Sequence, residues 1–277
     1  MFKEDLIVAL DSFSAVLGIW YCIFMICICA WLWYSRRWRY QMGWILLVIS
    51  VGILGFVIFA PVMPYQIEQL VLGNEGPFLG LMSLVIWCIL VLLFGRFLCG
   101  YFCPVGAVQE LAYRVRGKTI PLKVHPHQKM IFMLVRAAFV IAFVLIAVAT
   151  SFSLLSFFGI RDFFYLLPTV GTAVFVLILI LSTQIYRPFC RLACPAGFFF
   201  SLCSWKSLLK LGRTNDCIKC GNCEKICPTD EAHTRDNKAE CYLCGRCVKS
   251  CPKGAIRYRR AQKIDENTTE SAPRNRM

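Results

Sequence analysis

Five stretches of the chain are apolar on every face, at approximately residues 13–34, 43–60, 78–102, 130–151 and 167–186. Runs of this length with no polar stripe read as membrane-spanning helices, because a helix in water keeps one face for solvent. Beyond residue 213 the apolar runs stop, and Cys, Gly, Pro and charged residues alternate in short segments. The pattern predicts a polytopic α-helical membrane protein of about five spans, followed by a small C-terminal α+β domain.

The polar residues between the runs orient them. Residues 1–12 carry one Lys against three acids, the wrong charge for a secretory leader, and no small-residue cleavage site follows the first run. That run ends in Ser35-Arg36-Arg37-Trp38-Arg39, a basic and aromatic anchor. Loop 61–77 holds Glu68 and Glu75 and no Lys or Arg, whereas the next carries Arg114, Arg116, Lys118, Lys123 and Lys129 against Glu110. The following loop has Arg161 and Asp162, and basic residues return at Arg187, Arg191, Lys206, Lys210 and Arg213. Lys and Arg stay on the cytoplasmic side, so the N-terminus is expected outside and the C-terminal domain in the cytoplasm. The expected location is the cell (cytoplasmic) membrane.

These boundaries divide the chain into a first span with its basic loop (1–42), four further spans (43–195), a linker (196–213), the small domain (214–258) and a polar, disordered tail (259–277). Phe199, Leu202, Trp205 and Leu209 recur at helical spacing, which predicts an interfacial helix over 195–211 with Lys206 and Lys210 toward headgroups. Composition agrees with the spans: 58% of residues are hydrophobic and the mean hydropathy is +0.62. Of the net charge of +14, residues 1–213 supply +10 (17 Lys/Arg, 7 Asp/Glu). A basic excess in membrane loops sets topology, and no basic face stands apart from the spans, so nucleic acid is not an expected partner.

The chemistry lies in seventeen cysteines. Cys217, Cys220, Cys223 and Cys227 form the run C-x2-C-x2-C-x3-C-P, and Cys241, Cys244, Cys247 and Cys251 repeat it. This is the bacterial-ferredoxin spacing for 4Fe–4S clusters, in which three close thiolates wrap one cubane and the fourth reaches the other. The expected ligand sets are Cys217, Cys220, Cys223 and Cys251 for one cluster, and Cys241, Cys244, Cys247 and Cys227 for the second. A zinc ribbon needs neither the third cysteine of each run nor the C-P ending, and disulfides need an oxidising compartment.

A second set is placed by an internal repeat. Arg96-Phe-Leu-Cys99-Gly-Tyr-Phe-Cys103-Pro104-Val-Gly106 and Arg187-Pro-Phe-Cys190-Arg-Leu-Ala-Cys194-Pro195-Ala-Gly197 both read R-x2-C-x3-C-P-x-G. Each closes a span that runs inward, so the second and third spans and the fourth and fifth form two parallel copies of one helical hairpin. Arg, Cys and Cys at i, i+3 and i+7 are expected on one helix face, with the proline ending or kinking the helix. Packed together, the copies bring four thiols and two guanidiniums to one depth, where Arg96 and Arg187 are expected to lower the thiol pKa values. Cys99, Cys103, Cys190 and Cys194 are thus a candidate site for a soft metal ion, a third cluster or dithiol chemistry. The alternative is helix packing with snorkelling arginines. Cys22, Cys27, Cys29, Cys88 and Cys203 read as small apolar side chains.

The paired C-x3-C-P motifs followed by a two-cluster ferredoxin domain resemble the NapH/NosR/CcoG-type membrane-bound 4Fe–4S ferredoxins over roughly residues 43–258, most closely the NapH-like membrane component of quinol dehydrogenases. The resemblance implies membrane-bound electron transfer, with other redox subunits as partners and quinone as a candidate. The CcoG-like members imply copper handling during oxidase assembly instead. The first span and the absence of a flavin-bearing outer domain are departures from the NapH-like and NosR-like patterns.

Only three histidines are present: His125 and His127, read as a solvated loop pair, and His233 between the cluster motifs. None lies in a span, so a bis-histidine membrane haem has no ligands, and no nucleotide fingerprint or Ser/His/Asp grouping is evident. Three readings follow: an electron-transfer subunit of an oxidoreductase complex rather than a stand-alone enzyme, a copper-handling assembly factor using the four span-end cysteines, and a redox-sensing regulator.

Overall fold

The computed structural model describes residues 40–57, 77–115, 126–150, 156–233 and 238–260, with Phe24, Cys27 and Ile28. Apart from those three residues the expected first span lies outside this set, as do its basic anchor, the Glu68/Glu75 loop, Arg116 to His125 and the tail beyond Arg260.

Helix α1 spans Tyr40–Ile49 and continues as a π-helical Ser50–Val57. Helices α2 (Pro77–Phe94), α3 (Phe97–Tyr101) and α4 (Pro104–Val115) follow, then α5 (Pro126–Thr150) and the short α6 (Ile160–Phe164). A second series repeats the first: α7 (Val170–Ser182), α8 (Pro188–Leu192) and α9 (Pro195–Trp205). Helices α3 and α8 begin 91 residues apart, as do α4 and α9. Helix α4 packs on α1 and α7, while α9 packs on α5 and α2. Each closing helix therefore leans on the first helix of its own copy and the second helix of the other, which ties the two hairpins into one body.

Within α5, Met130–Ala149 has a mean hydropathy of 2.8 with 22% of its residues buried, and it is the one described helix long and apolar enough to cross a membrane. Gln41–Phe56, Leu84–Phe94 and Val170–Ser182 are shorter apolar helices. Ile45, Ile86, Ile89, Ile141, Leu145, Val148, Leu177 and Ile180 are each more than half exposed, so the outer faces of α1, α2, α5 and α7 are apolar.

The R-x2-C-x3-C-P-x-G motif does not lie on one continuous helix, contrary to the expectation from spacing. Gly95, at φ 66°, ends α2, and Arg96 sits in the turn before α3. Cys99 lies within α3, and Cys103 falls in the break before Pro104, because the residue before proline is excluded from helical conformation. In the second copy Arg187 itself takes the left-handed conformation. Short helices joined by sharp turns fold both cysteines of each motif back toward one place.

The small domain is larger than the 214–258 expected for it. Strands β1 (Leu209–Arg213) and β2 (Ile256–Arg260) pair antiparallel, Leu209 opposite Arg260 and Arg213 opposite Ile256. The expected 195–211 helix therefore stops at Trp205. Its last residues find better backbone partners elsewhere: Leu208 donates to the Leu92 carbonyl at 2.8 Å, and Leu209 onward joins the sheet. Between the strands, two loop-helix units carry the cysteine runs, with α10 at Asn222–Ile226 and α11 at Arg246–Ser250. They match at a 24-residue offset: Lys219 and Leu243 have φ 54° and 53°, and Gly221 and Gly245 have φ 74° and 76°. These left-handed residues reverse the chain between successive cysteines, so three thiols face one centre.

Candidate functional site

Three cavities run in series through the junction of bundle and small domain. The outermost, about 340 Å³ in volume, is lined by Cys217, Cys220, Cys223 and Cys251. Next comes one of about 560 Å³, whose lining includes Cys223, Cys227, Cys241, Cys244 and Cys247. The third, in the helical bundle, is about 300 Å³ and is lined by Cys99, Cys103, Cys190 and Cys194 with Arg96 and Tyr242. Cys223 belongs to the walls of the first two, and Tyr242 to those of the last two.

The donor set of the small domain is soft and anionic once deprotonated, which suits iron–sulfur clusters. Cys251 lies with the first run and Cys227 with the second. Each also accepts a backbone N–H, from Ala255 and Glu231 respectively, both at 3.3 Å. Burial pushes the Cys241 thiol up to about 12 and raises Cys227 and Cys247, so loading metal here means displacing protons. None of the described cysteines is in a disulfide.

At the C-x3-C-P motifs the arginines reach across the repeat. Arg187, from the second copy, donates to the Cys99 and Gly100 carbonyls of the first at 3.1 and 2.9 Å. Arg96, from the first, donates to the Gly197 carbonyl of the second at 2.7 Å. The closing glycine of each motif makes room for this crossing. A Cβ on Gly106 would stand 2.3 Å from the Cys99 carbonyl oxygen and 3.2 Å from the Arg187 guanidinium. On Gly197 it would stand 2.8 Å from the Cys190 carbonyl oxygen and 3.4 Å from that of Arg96. The expectation of lowered thiol pKa values is overturned: burial pushes Cys103 up to about 12 and raises Cys190 and Cys194, although Arg187 and Arg96 pull Cys190 the other way. Desolvation wins because the thiols are buried, while both guanidiniums spend hydrogen bonds on backbone carbonyls.

Two carboxylates fasten the small domain to the bundle. Glu110, on α4, pairs with Arg246 of the small domain at 2.7 Å, and with Arg114 and Arg187 at 2.8 and 3.1 Å. Burial pushes its carboxyl up, but Arg246, Arg187 and Arg114 outweigh this and hold it at about 2. Glu240, in the small domain, pairs with Arg136 on α5 at 2.7 Å and with Arg191 at 3.2 Å. It too is held at about 2, burial being outweighed by Arg191, Arg136 and Arg96. Tyr242 lies between the two, with the Arg187 and Arg96 guanidiniums 4.5 and 4.8 Å from its ring centroid.

Glu110, Arg136, Glu240, Tyr242 and Arg246 were not singled out from sequence as site residues. Arg136 carries a usable signal, the one charge within the apolar stretch Met130–Ala149 of α5. Arg114, counted with the basic loop, is instead a buried helical partner of Glu110. His233 is exposed beside Glu224 and Asp230 at the domain surface. His125 is outside the described residues, and His127 falls in the first turn of α5.

Comparison with known proteins places this geometry. Residues 77–123 and 167–214 match one family model, described as a 4Fe-4S binding domain, and 213–230 and 235–257 match a second of the same description. The first model thus falls once on each copy of the C-x3-C-P repeat. Protein MJ0750 of Methanocaldococcus jannaschii is 33% identical over 173 residues, covering 58% of this chain and 70% of that protein. The chain belongs to this 4Fe–4S ferredoxin-type family. Within it, the methylamine utilization ferredoxin-type protein MauN of Methylorubrum extorquens is 30% identical over 57% of this chain and 61% of its own length. YccM of Escherichia coli K12, which bears an electron-transport name, is 28% identical over 54% of this chain and 46% of its own length. The chain therefore spans about half to three fifths of those two relatives. No solved structure matches it.

Proposed function

We propose that the chain is a membrane-anchored ferredoxin that relays single electrons between a membrane-side partner and a cytoplasmic one. Cys217, Cys220, Cys223 and Cys251 hold one 4Fe–4S cluster, and Cys227, Cys241, Cys244 and Cys247 hold the other. The observation that carries this reading is the crossing of the fourth cysteine: Cys251 joins the wall of the first run's cavity, and Cys227 that of the second. A zinc site or a lone cluster has no use for that exchange. The clusters, when bound, supply one-electron oxidation and reduction without bond making.

The residues around them set the conditions. Backbone N–H groups on the Cys227 and Cys251 sulfurs favour the thiolate and, through it, tune the potential. Tyr186, Tyr242 and Arg246 close the inner side against water, while the outer cavity opens at the exposed Cys220, where a soluble partner can approach. The apolar outer faces of α1, α2, α5 and α7, together with the hydropathy of Met130–Ala149, support anchoring in the bilayer as a polytopic, NapH-like component. Quinone is the proposed membrane-side reactant, with other redox subunits as partners.

Iron and acid-labile sulfide, measured on anaerobically purified full chain, test the reading. Cys251→Ser and Cys227→Ser should each remove about four irons, from different clusters with distinct EPR signals. Loss of the same signal in both variants, or zinc in place of iron, would overturn the assignment.

A further inference from the structure

We infer that the span-end cavity is the seat of a third iron–sulfur cluster, held by Cys99, Cys103, Cys190 and Cys194, with Arg96 as its buried counter-ion. This rests on the reading of the chain as an iron–sulfur protein and extends it into the helical bundle.

Charge is the first argument. Six arginines are buried at this junction: Arg96, Arg114, Arg136, Arg187, Arg191 and Arg246. Glu110 pairs with three of them and Glu240 with two. Arg96 is the sixth. It is 1% exposed, makes one hydrogen bond to the Gly197 carbonyl, and has no partner for Nε or Nη1 among the described residues. Glu240 feels its charge but is already paired with Arg136 and Arg191, so a buried guanidinium with no salt bridge of its own, in the wall of this cavity, calls for negative charge inside. Four thiolates around a 4Fe–4S core carry a net charge of about −2, with core sulfides as further acceptors. The buried Tyr242 hydroxyl, in the same wall, likewise has no hydrogen-bond partner among the described residues.

Size is the second. The four thiols line one cavity between the two copies of the repeat. That space, about 300 Å³, is close to the 340 Å³ ringed by Cys217, Cys220, Cys223 and Cys251, whose spacing is that of a cubane site. Donors already point at the sulfurs: Gly197 N–H to Cys194 at 3.4 Å and Gln109 Nε2 to Cys190 at 3.5 Å.

Position is the third. The Tyr242 ring is the wall shared with the Cys241–Cys247 cavity, so the new site adjoins the clusters of the small domain. One electron lost on either side of that wall is gained on the other, and no bond is made or broken.

The test uses detergent-purified, anaerobic full chain. Wild type should hold about twelve irons, and Cys99→Ser/Cys190→Ser about eight, with both small-domain EPR signals kept. Arg96→Gln should keep the iron but shift one midpoint potential to a lower value, with Arg96→Lys partly restoring it; this guards against a cysteine variant that fails to fold. About eight irons in wild type, unchanged by Cys99→Ser/Cys190→Ser, would overturn the third centre while leaving the two-cluster reading intact. So would a single copper or zinc ion lost in that variant. Iron lost only when Cys99 and Cys190 are replaced, and unmoved by Cys217 or Cys241 substitutions, would support this centre and overturn the small-domain assignment.

Discussion

The small domain and the helical bundle each bring four thiols around a cavity by duplicating a short motif, but they do it by opposite means. In the small domain three of the four cysteines come from one continuous run, and left-handed residues such as Gly221 turn the backbone so that they converge. In the bundle two come from each copy, 91 residues apart, and converge because α4 and α9 cross between hairpins. Glycine marks the difference: Gly221 has open space around it and is needed for its φ of 74°, whereas Gly106 and Gly197 are needed for their lack of volume. Burial follows suit. Cys220 is exposed, whereas Cys103, Cys190 and Cys194 are at most 9% exposed. A site made by local turns can sit at a surface, while one made by packing helices is enclosed by the helices that make it.

The sharpest way to break the contrast is to cut the join between the regions. Glu110→Ala leaves Arg114, Arg187 and Arg246 without their carboxylate, and loss of one partner of a buried pair costs about 3–5 kcal/mol. The expected result is a lower denaturation midpoint and proteolytic release of the small domain with its cysteine runs intact. An unchanged midpoint would mean that the domain docks by other contacts. Glu240→Gln acts at the other clasp and should cost less than Glu110→Ala, because Glu240 is 20% exposed and serves two arginines.

Steric substitution separates the two uses of glycine. Alanine at Gly106 gains about 1 kcal/mol of helix propensity but meets a backbone carbonyl at 2.3 Å, so overpacking of about 1–3 kcal/mol or more decides the sign. Gly197→Ala should cost somewhat less, at 2.8 Å. Gly221→Ala should cost only left-handed strain, about 1–2 kcal/mol, and Gly221→Asn less still. Thermal unfolding of the three variants checks the order, and equal effects would erase the distinction.

Acid should act on the join before the local turns. Both carboxylates are held at about 2, below their unfolded value of about 4.3, so their stabilisation is present above that value and is lost as pH falls toward 2. Protease release of the small domain should therefore rise across that window, and Glu110→Gln should flatten its Glu110 component. The smallest expected effect is kinetic: on brief exposure to air, the signal that depends on Cys220 should fade before the one that depends on Cys241, as read by EPR.

How much could be read from the chain beforehand depends on how local each feature is. The eight small-domain cysteines are legible because their ligand geometry is set within a dozen residues, and the C-x3-C-P repeat is legible because duplication leaves the same letters twice. The first three residues of β1, Leu209 to Leu211, read as the end of a helix, because so few residues at the edge of a helical pattern carry too little alternation to compete with it. The thiol pKa values are not legible because sequence places Arg96 and Arg187 near the cysteines without showing how deeply the thiols are buried, and burial outweighs the arginines.

Sequence alone determined the apolar runs, the two cysteine families and the duplication, since each is a pattern of neighbours along the chain. Only the tertiary structure decided that Glu110 and Glu240 clasp the small domain, that the arginines change copies, and that Tyr242 stands between two cavities. Those pairings join residues about 90 to 140 positions apart in single contacts, and a single contact between distant residues leaves no period to read.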